Sequence, residues 1–461
     1  MLESSFPQIG FALVLGFAVF IIVFIRTEAA IALVLLSMML SPEVSLGGSG
    51  QLAEKREVVI RSEDLLLMLI AFSWLAKTAV NKELGLILRT ALNRPILAYV
   101  VTTSLATLIG FATGTVRTAA GFFYVLKYVE YFFVFFMVVN NVRDREQAWR
   151  LVTVAFVTVA VVSLVGIAQI PSGERVSAPF EGETGEPNTL GGYLLLMMGL
   201  AAGVAFETTR IRTRALCLGL AVLMLVPFVF TLSRSSYLGL IPVVATLFLL
   251  SRRRKILLPL LILVVVTSPL LVVFAPAVVQ KRVAETFRPQ ANQPRVSVGR
   301  VGFDPSTSER LIGYRGAAEK WLERPILGHG VTGGFYLDAQ YPRTLMETGI
   351  LGFAAFGWLV WSILKRSLLA FERAAHAEDR GLARGFIAGT VGLMFHALGS
   401  NTFIIVRIME PFWFFVGIMM LLTSFEGATR APEAARGRRV ELLAGPAPRL
   451  AGSPPWQRRA L

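Results

Sequence analysis

The sequence predicts an all-helical protein that crosses a membrane many times, and three observations carry that prediction. Only 16% of the 461 residues are charged while 55% are hydrophobic. The mean hydropathy is +0.65. The apolar residues fall into blocks of helix length, not strand length. A soluble domain carries about 25% charge, and a spanning helix needs about 20 mostly apolar residues. The 33 Phe, 7 Trp and 9 Tyr suit lipid-facing and interfacial positions. The 40 Gly suit close helix packing in a bilayer.

Counting the blocks gives about thirteen spans, between twelve and fourteen: 8–25, 28–46, 64–80, 95–115, 118–140, 150–169, 188–206, 213–231, 233–250, 257–279, 346–364, 384–402 and 409–424. The first reads as a span and not as a signal peptide, because residues 1–7 lack a basic segment and no small-residue cleavage motif follows. Only Arg26, Thr27 and Glu28 separate it from the second. The third closes before a basic stretch at 81–94, within which 84–92 is short enough to lie in the interface. The fourth and fifth meet at a turn carrying Arg117. The seventh follows Pro187 and Asn188, and Asn188 suits a helix cap. The eighth and ninth are divided by a polar turn at 231–233. A loop at 280–345 separates the last three spans from the rest. The Arg-rich stretch 425–461, with Ala, Gly and Pro throughout, reads as a disordered cytoplasmic tail on a transmembrane domain of residues 1–424.

Lys and Arg mark cytoplasmic loops. The basic loops 81–94, 143–150, 208–214, 251–256 and 365–383 all fall on one side with thirteen spans. The opposite side then holds 47–63, 116–117, 170–187, 231–233, 280–345 and 403–408, with the N-terminus. The 280–345 loop is too long for a connector and is the place to look for function. It contains an amphipathic helix at 309–324, ended by Pro325 and Gly328.

The net charge of +15 does not point to nucleic acid, because the basic residues sit in short runs between apolar blocks, as in Arg252, Arg253, Arg254 and Lys255. Cys217 is alone, which excludes an internal disulfide. His329, His376 and His396 are too scattered for a metal motif. No phosphate loop, dinucleotide fingerprint or acidic metal cluster is present, so neither metal nor cofactor is expected.

Polar residues gather on the presumed outer side. Ser233, Arg234, Ser235 and Ser236 interrupt apolar sequence. A guanidinium there holds a diphosphate bidentately or simply reaches water from a polar turn. The 170–187 loop offers Arg175 among Glu174, Glu181, Glu183 and Glu186, and reads otherwise as plain surface. The long loop supplies Arg310, Arg315 and Arg324, whose bland alternative is contact with lipid headgroups. Asp338 and His329 lie in a glycine-rich stretch and are candidate bases, though each alone suits a structural role equally. Within the spans, Lys127 and Glu130 are three apart and suit a pair on one face, and Arg407 and Glu410 flank the last span. Arginines clustered at a membrane boundary suit a phosphate-bearing, lipid-anchored substrate.

These residues resemble the superfamily of O-antigen ligases and O-antigen polymerases, bacterial membrane glycosyltransferases. The resemblance covers most of 150–424. It rests on the turn from Gly182 to Asn188, the Ser233–Arg234 pair, Arg310, Leu311 and Ala317 followed by Pro325 to Gly330, and the helix start Glu347 to Gly352. It implies transfer of glycans carried on undecaprenyl diphosphate, without metal or nucleotide sugar, in the bacterial inner membrane with the site facing the periplasm. The implied partners are the lipid-linked donor and acceptor, membrane lipids, a chain-length regulator and a flippase. Arg234 and Arg310 would hold the diphosphate, with Arg175 or Arg117 assisting and Ser233 donating. Arg315, Gln340, Tyr341, Glu181 and Asn188 would complete the substrate contacts. Ligases carry His-Asn before the Glu-x-Gly helix, whereas this chain has Asp338 and Ala339. With Gln340 and Tyr341, Asp338 resembles polymerase-like members. That favours polymerisation of lipid-linked repeat units, with Asp338 as first base and His329 as second. The alternatives are ligation to lipid A–core or another acceptor, and transport of lipid-linked glycan. Transporters often show matched internal repeats, and none is evident here.

Overall fold

The computed structural model describes residues 20–21, 27–40, 43–45, 59–80, 89–117, 120–179, 186–251, 277, 280–281, 284, 297–298, 301–302 and 305–429. Within them the protein is all-helical. The helices are α1 (Thr27–Leu40), α2 (Ser62–Val80), α3 (Asn93–Ala112), α4 (Ala120–Asn141), α5 (Arg145–Gln169), α6 (Pro187–Glu207), α7 (Ile211–Phe230), α8 (Arg234–Leu249), α9 (Pro305–Glu323), α10 (Gln340–Arg373), α11 (Ala377–His396) and α12 (Val406–Thr429). Two short antiparallel ribbons, Glu43–Ser45 with Val59–Arg61 and Ser297–Val298 with Val301–Gly302, are the strands among the described residues.

The expected thirteen spans are not found. Among the described residues, seven helices are long and apolar enough to cross a membrane: α3, α4, α5 with its terminal turn, α6, α7, α10 and α12. Where the expected spans fall on described residues, the shortfall has a physical reason. α8 has 16 residues, below the length that reaches across a hydrocarbon core, and α1 is described over 14 residues, with 22–26 and 41–42 beside it outside the described residues. α2 and α11 are long enough but carry too many polar and charged residues, as Glu378, Asp379, Arg380 and Arg384 do in α11. The expected spans 8–25 and 257–279 lie almost wholly outside the described residues, as do most of 81–94 and all of 430–461.

The local signals behave as their chemistry dictates. Asp144 caps α5 by accepting from Gln147 N at 2.8 Å. Pro187 opens α6, where its missing N–H is not needed. Lys127 and Glu130 pair at 3.0 Å within α4.

α6 and α12 form the centre, each with 89% of its apolar stretch buried, against 22% for α7. Trp413 of α12 packs edge-on against Phe132 and Phe135 of α4 at 4.7 and 5.7 Å. α6 crosses α11 on glycines. A Cβ on Gly385 would strike the Gly199 carbonyl and come within 2.7 Å of Leu200 Cα, and one on Gly389 would come within 3.1 Å of the Leu196 carbonyl. Small residues at such a crossing let two backbones touch. Gly385→Val is therefore expected to lower stability by about 3 kcal/mol, because backbone cannot give way as a side chain does. Gly357→Ala on α10, which meets open space, serves as the control. Thermal midpoints in detergent read the difference, and equal midpoints would refute the crossing.

The loops sort into two ends. At one, Arg145 reaches Asp379 at 2.7 Å, Trp149 Nε1 donates to Asp379 at 2.6 Å, and Arg380 and Arg384 pair with Glu207 at 2.9 and 2.8 Å. Loops 143–150, 208–214 and 365–383 thus meet, the grouping that the charge pattern predicts. The other end holds the candidate site.

Candidate active site

The turn between α7 and α8 is built from side chains that bind its own backbone. Ser233 caps α8, accepting from Ser236 N at 3.3 Å, and donates to Asn188 Oδ1 at 2.7 Å. Ser236 Oγ donates to Ser233 Oγ at 2.7 Å, and Ser235 Oγ donates to the Gly399 carbonyl at 2.9 Å. Asn188 is thus a clamp on Ser233, joining α6 to the turn. Leu232 takes a positive φ of 51°. Arg175 holds this strained turn, donating to the Thr231 and Leu232 carbonyls at 3.0 and 3.4 Å. Its guanidinium supports the backbone beside Arg234.

α9 brings the second cation. It begins four residues before its expected start, and Thr307 and Arg310, three apart, share a face. Arg234 Nη1 donates to Thr307 Oγ1 at 2.9 Å, while Arg310 Nη2 lies 3.6 Å from Asp338 Oδ2. One helical turn therefore gathers two arginines and the candidate base. Gly313 and Gly316 make room for Leu337 and Phe335, so residues 335–338 run along α9 to reach Arg310.

Asp338 also accepts from Asn401 N at 3.1 Å. Burial raises its carboxyl above the ordinary aspartate value, against the opposing pull of Arg310, the Asn401 hydrogen bond and Arg343. Its two neighbours dock the strap. Gln340 N donates to the Ala397 carbonyl and Gln340 Oε1 accepts from Phe403 N, both at 3.0 Å. Tyr341 OH donates to the Met394 carbonyl at 2.6 Å. An apolar cleft of about 200 Å³ begins at Tyr341 and runs past Phe353, Phe356 and Trp361. No charged residue lines it, so it is separate from the arginine chemistry.

His329 sits elsewhere. Its ring is 1% exposed, Nε2 lies 2.8 Å from the Lys320 carbonyl, and its own carbonyl accepts from Thr115 at 2.7 Å. Lys320 is ten residues from Arg310, about 15 Å along a helix, so His329 and Asp338 occupy opposite ends of α9. Arg324 donates to Thr113 at 2.6 Å at the same far end, and Arg117 is exposed on that turn. Arg315 is exposed and pairs with Glu319 at 2.8 Å on the outer face of α9. Glu181 lies outside the described residues.

The two glycine-rich motifs turn out to be one unit. Gly349 breaks α10 with φ 62°, a conformation that favours glycine. The freed N–H groups of Ile350 and Leu351 donate to the Pro325 and Ile326 carbonyls at 2.9 and 3.2 Å. Gly330 N donates to the Glu347 carbonyl at 2.8 Å. The Glu347 side chain accepts from Thr332 N and pairs with Arg343, both at 3.1 Å. The sequence reading missed Arg343, Thr307 and the 397–403 turn. The polar run Ser400, Asn401 and Thr402 between two apolar helices was the signal for the last. Among the described residues, no group of three or more His, Cys, Asp or Glu side chains gathers.

Residues 219–357 match the family model of O-antigen ligase. This stretch, under a third of the chain, is similar to the O-antigen ligase domain. This domain takes in the 231–236 turn, α9, Asp338 and the interlocked motifs, while Asn188, Arg175 and the 397–403 turn complete the site from outside it. No curated protein matches the chain.

Proposed function

We propose that this protein transfers a glycan from an undecaprenyl-diphosphate carrier to a second acceptor at the end of the bundle holding Arg234, Arg310 and Asp338. The observation that carries the reading is the Arg310–Asp338 approach of 3.6 Å, one helical turn from the Arg234–Thr307 hydrogen bond, within the O-antigen ligase domain. In the reaction the bond between the anomeric carbon and the phosphate oxygen breaks, and the acceptor hydroxyl oxygen takes its place on the carbon. The hydroxyl proton passes to Asp338, and the lipid diphosphate leaves with one more negative charge. Fixed guanidinium groups aimed at that charge favour the transition state over the ground state. The positive-inside pattern supports a periplasmic position for this end in the bacterial inner membrane.

The domain match favours ligation to lipid A–core or a comparable acceptor. Polymerisation is the second reading, favoured by Asp338 standing where ligases have histidine. A deletion strain separates them: free lipid-linked polymer marks a lost ligase, and single repeat units on the acceptor mark a lost polymerase.

Asp338→Asn is expected to lower the transfer rate by about 10²–10⁴, whereas His329→Ala retains the chemical step. Asp338 must be ionised to take the proton, so activity falls as pH drops through its carboxyl pKa. Because burial raises that value, the acid limb lies at higher pH than for a free aspartate. A wild-type rate in Asp338→Asn, with loss in His329→Ala, would move the base to His329.

A further inference from the structure

The end of α11 and the turn after it hold buried polar atoms that the protein satisfies poorly or not at all. His396, Ser400 and Asn401 are 0%, 1% and 6% exposed. Ser400 Oγ and Asn401 Oδ1 make no hydrogen bond, and His396 Nε2 makes none of normal geometry, although the Asn188 main chain lies near it. Buried polar groups are nearly always paired, and a bare one costs about 1–3 kcal/mol. Ser400 Oγ and Asn401 Oδ1, on adjacent residues, call for partners from outside the chain, and His396 lies within the same six residues. The turn also belongs to the site. Asn401 N donates to Asp338, the Gly399 carbonyl accepts from Ser235, and a Cβ on Gly399 would lie 3.8 Å from Arg310 Nη1.

The chemistry of these atoms selects the ligand. Asn401 Nδ2 donates to the Leu337 carbonyl at 2.9 Å, which sets the amide orientation and leaves Oδ1 as an acceptor. An acceptor oxygen repels phosphate and requires a donor. Ser400 Oγ both donates and accepts. His396 Nδ1 is engaged with Thr402 Oγ1 at 2.7 Å, leaving Nε2 for a single partner. Such a set suits the hydroxyl groups of a sugar, while the arginines suit the diphosphate.

We infer that the 396–401 turn is a sugar subsite, binding hydroxyl groups of the lipid-linked glycan beside the diphosphate. The inference rests on the glycan-transfer reading above and adds which residues engage the sugar. The decisive variant is Ser400→Ala, because an Oγ without a protein partner contributes no hydrogen bond to the fold; Asn401→Leu is the second. Each is purified as the full chain, and binding is measured with undecaprenyl diphosphate and with undecaprenyl-diphosphate-linked N-acetylglucosamine or galactose. The wild type is expected to bind a sugar-bearing lipid more tightly than the bare carrier. Ser400→Ala should weaken the sugar-bearing lipid about threefold to tenfold, the size of one neutral hydrogen bond, and leave the bare carrier unchanged. Binding of the bare carrier also reports whether Asn401→Leu has folded. Unaltered binding of the sugar-bearing lipids by Ser400→Ala would mean that buried water satisfies the turn and would overturn the subsite. Equal weakening of bare and sugar-bearing lipids would overturn it as well. If the wild type binds neither lipid, the glycan-transfer reading falls and the subsite with it.

Discussion

Arg310→Ala is expected to lower glycan transfer by about 10²–10³, the loss seen when one fixed charge-stabilising group is removed from a transition state. Arg310 is 25% exposed and lies 3.6 Å from Asp338, so in the proposed reaction it stands between the leaving diphosphate and the base. Removing it has two consequences that separate in the pH profile. The departing phosphate loses a counter-charge, which lowers the rate at every pH. Asp338 also loses the positive charge that opposes its burial, so the acid limb of the profile moves to still higher pH. Arg234→Lys keeps the charge but loses the fork that engages two phosphate oxygens, and its rate should fall less. Rates are measured with purified protein and lipid-linked donor from mildly acidic to mildly alkaline pH. A wild-type rate in the Arg310→Ala, Arg234→Lys double variant would end the diphosphate clamp.

Glu347→Ala is expected to cost about 3–5 kcal/mol, the penalty for leaving one member of a buried ion pair alone. Arg343 and Glu347 have side chains 4% and 3% exposed. Glu347 also holds Thr332 N, in the segment that follows the Pro325–Gly330 turn. Its loss therefore strands a charge and releases the turn that docks α9 against the α10 break. Replacing both partners with apolar residues, Arg343→Met with Glu347→Leu, should recover much of the loss, since no buried charge remains. Thermal midpoints of the single and double variants give the comparison. If the double variant is no more stable than Glu347→Ala, the stranded charge is not the cause.

The sequence by itself determined the class of protein and the residues worth testing. Long apolar blocks cannot be buried in a soluble fold of this size, so a membrane-spanning helical protein follows from composition and block length. Basic runs at alternate loops predict that those loops share one end, and ion pairs join three of the five, with Arg145 reaching Asp379 and Arg210 reaching Glu378. Ser233 and Arg234 stood out because they interrupt apolar sequence, and Arg310 and Asp338 because they lie in the long 280–345 loop at positions that the family resemblance marks. The number of spans was not legible in the same way. Apolar content does not report where a helix is broken or shortened, and it overcounted α8 and the charged α11. Tertiary structure alone decided which polar residues meet. Arg310 and Asp338 are 28 positions apart, and they meet because glycines 313 and 316 let the 335–338 strap lie along α9. His329 looked equivalent to Asp338 in a glycine-rich string, yet the helix between them carries it about 15 Å away. Arg175 also braces the turn beside Arg234, donating to the Thr231 and Leu232 carbonyls next to the positive φ at Leu232, a contact that its place in the 170–187 loop does not reveal. The 397–403 turn reaches Asp338 from more than 60 residues downstream. A contact of that kind depends on how α10, α11 and α12 pack in three dimensions, which no local pattern of residues encodes.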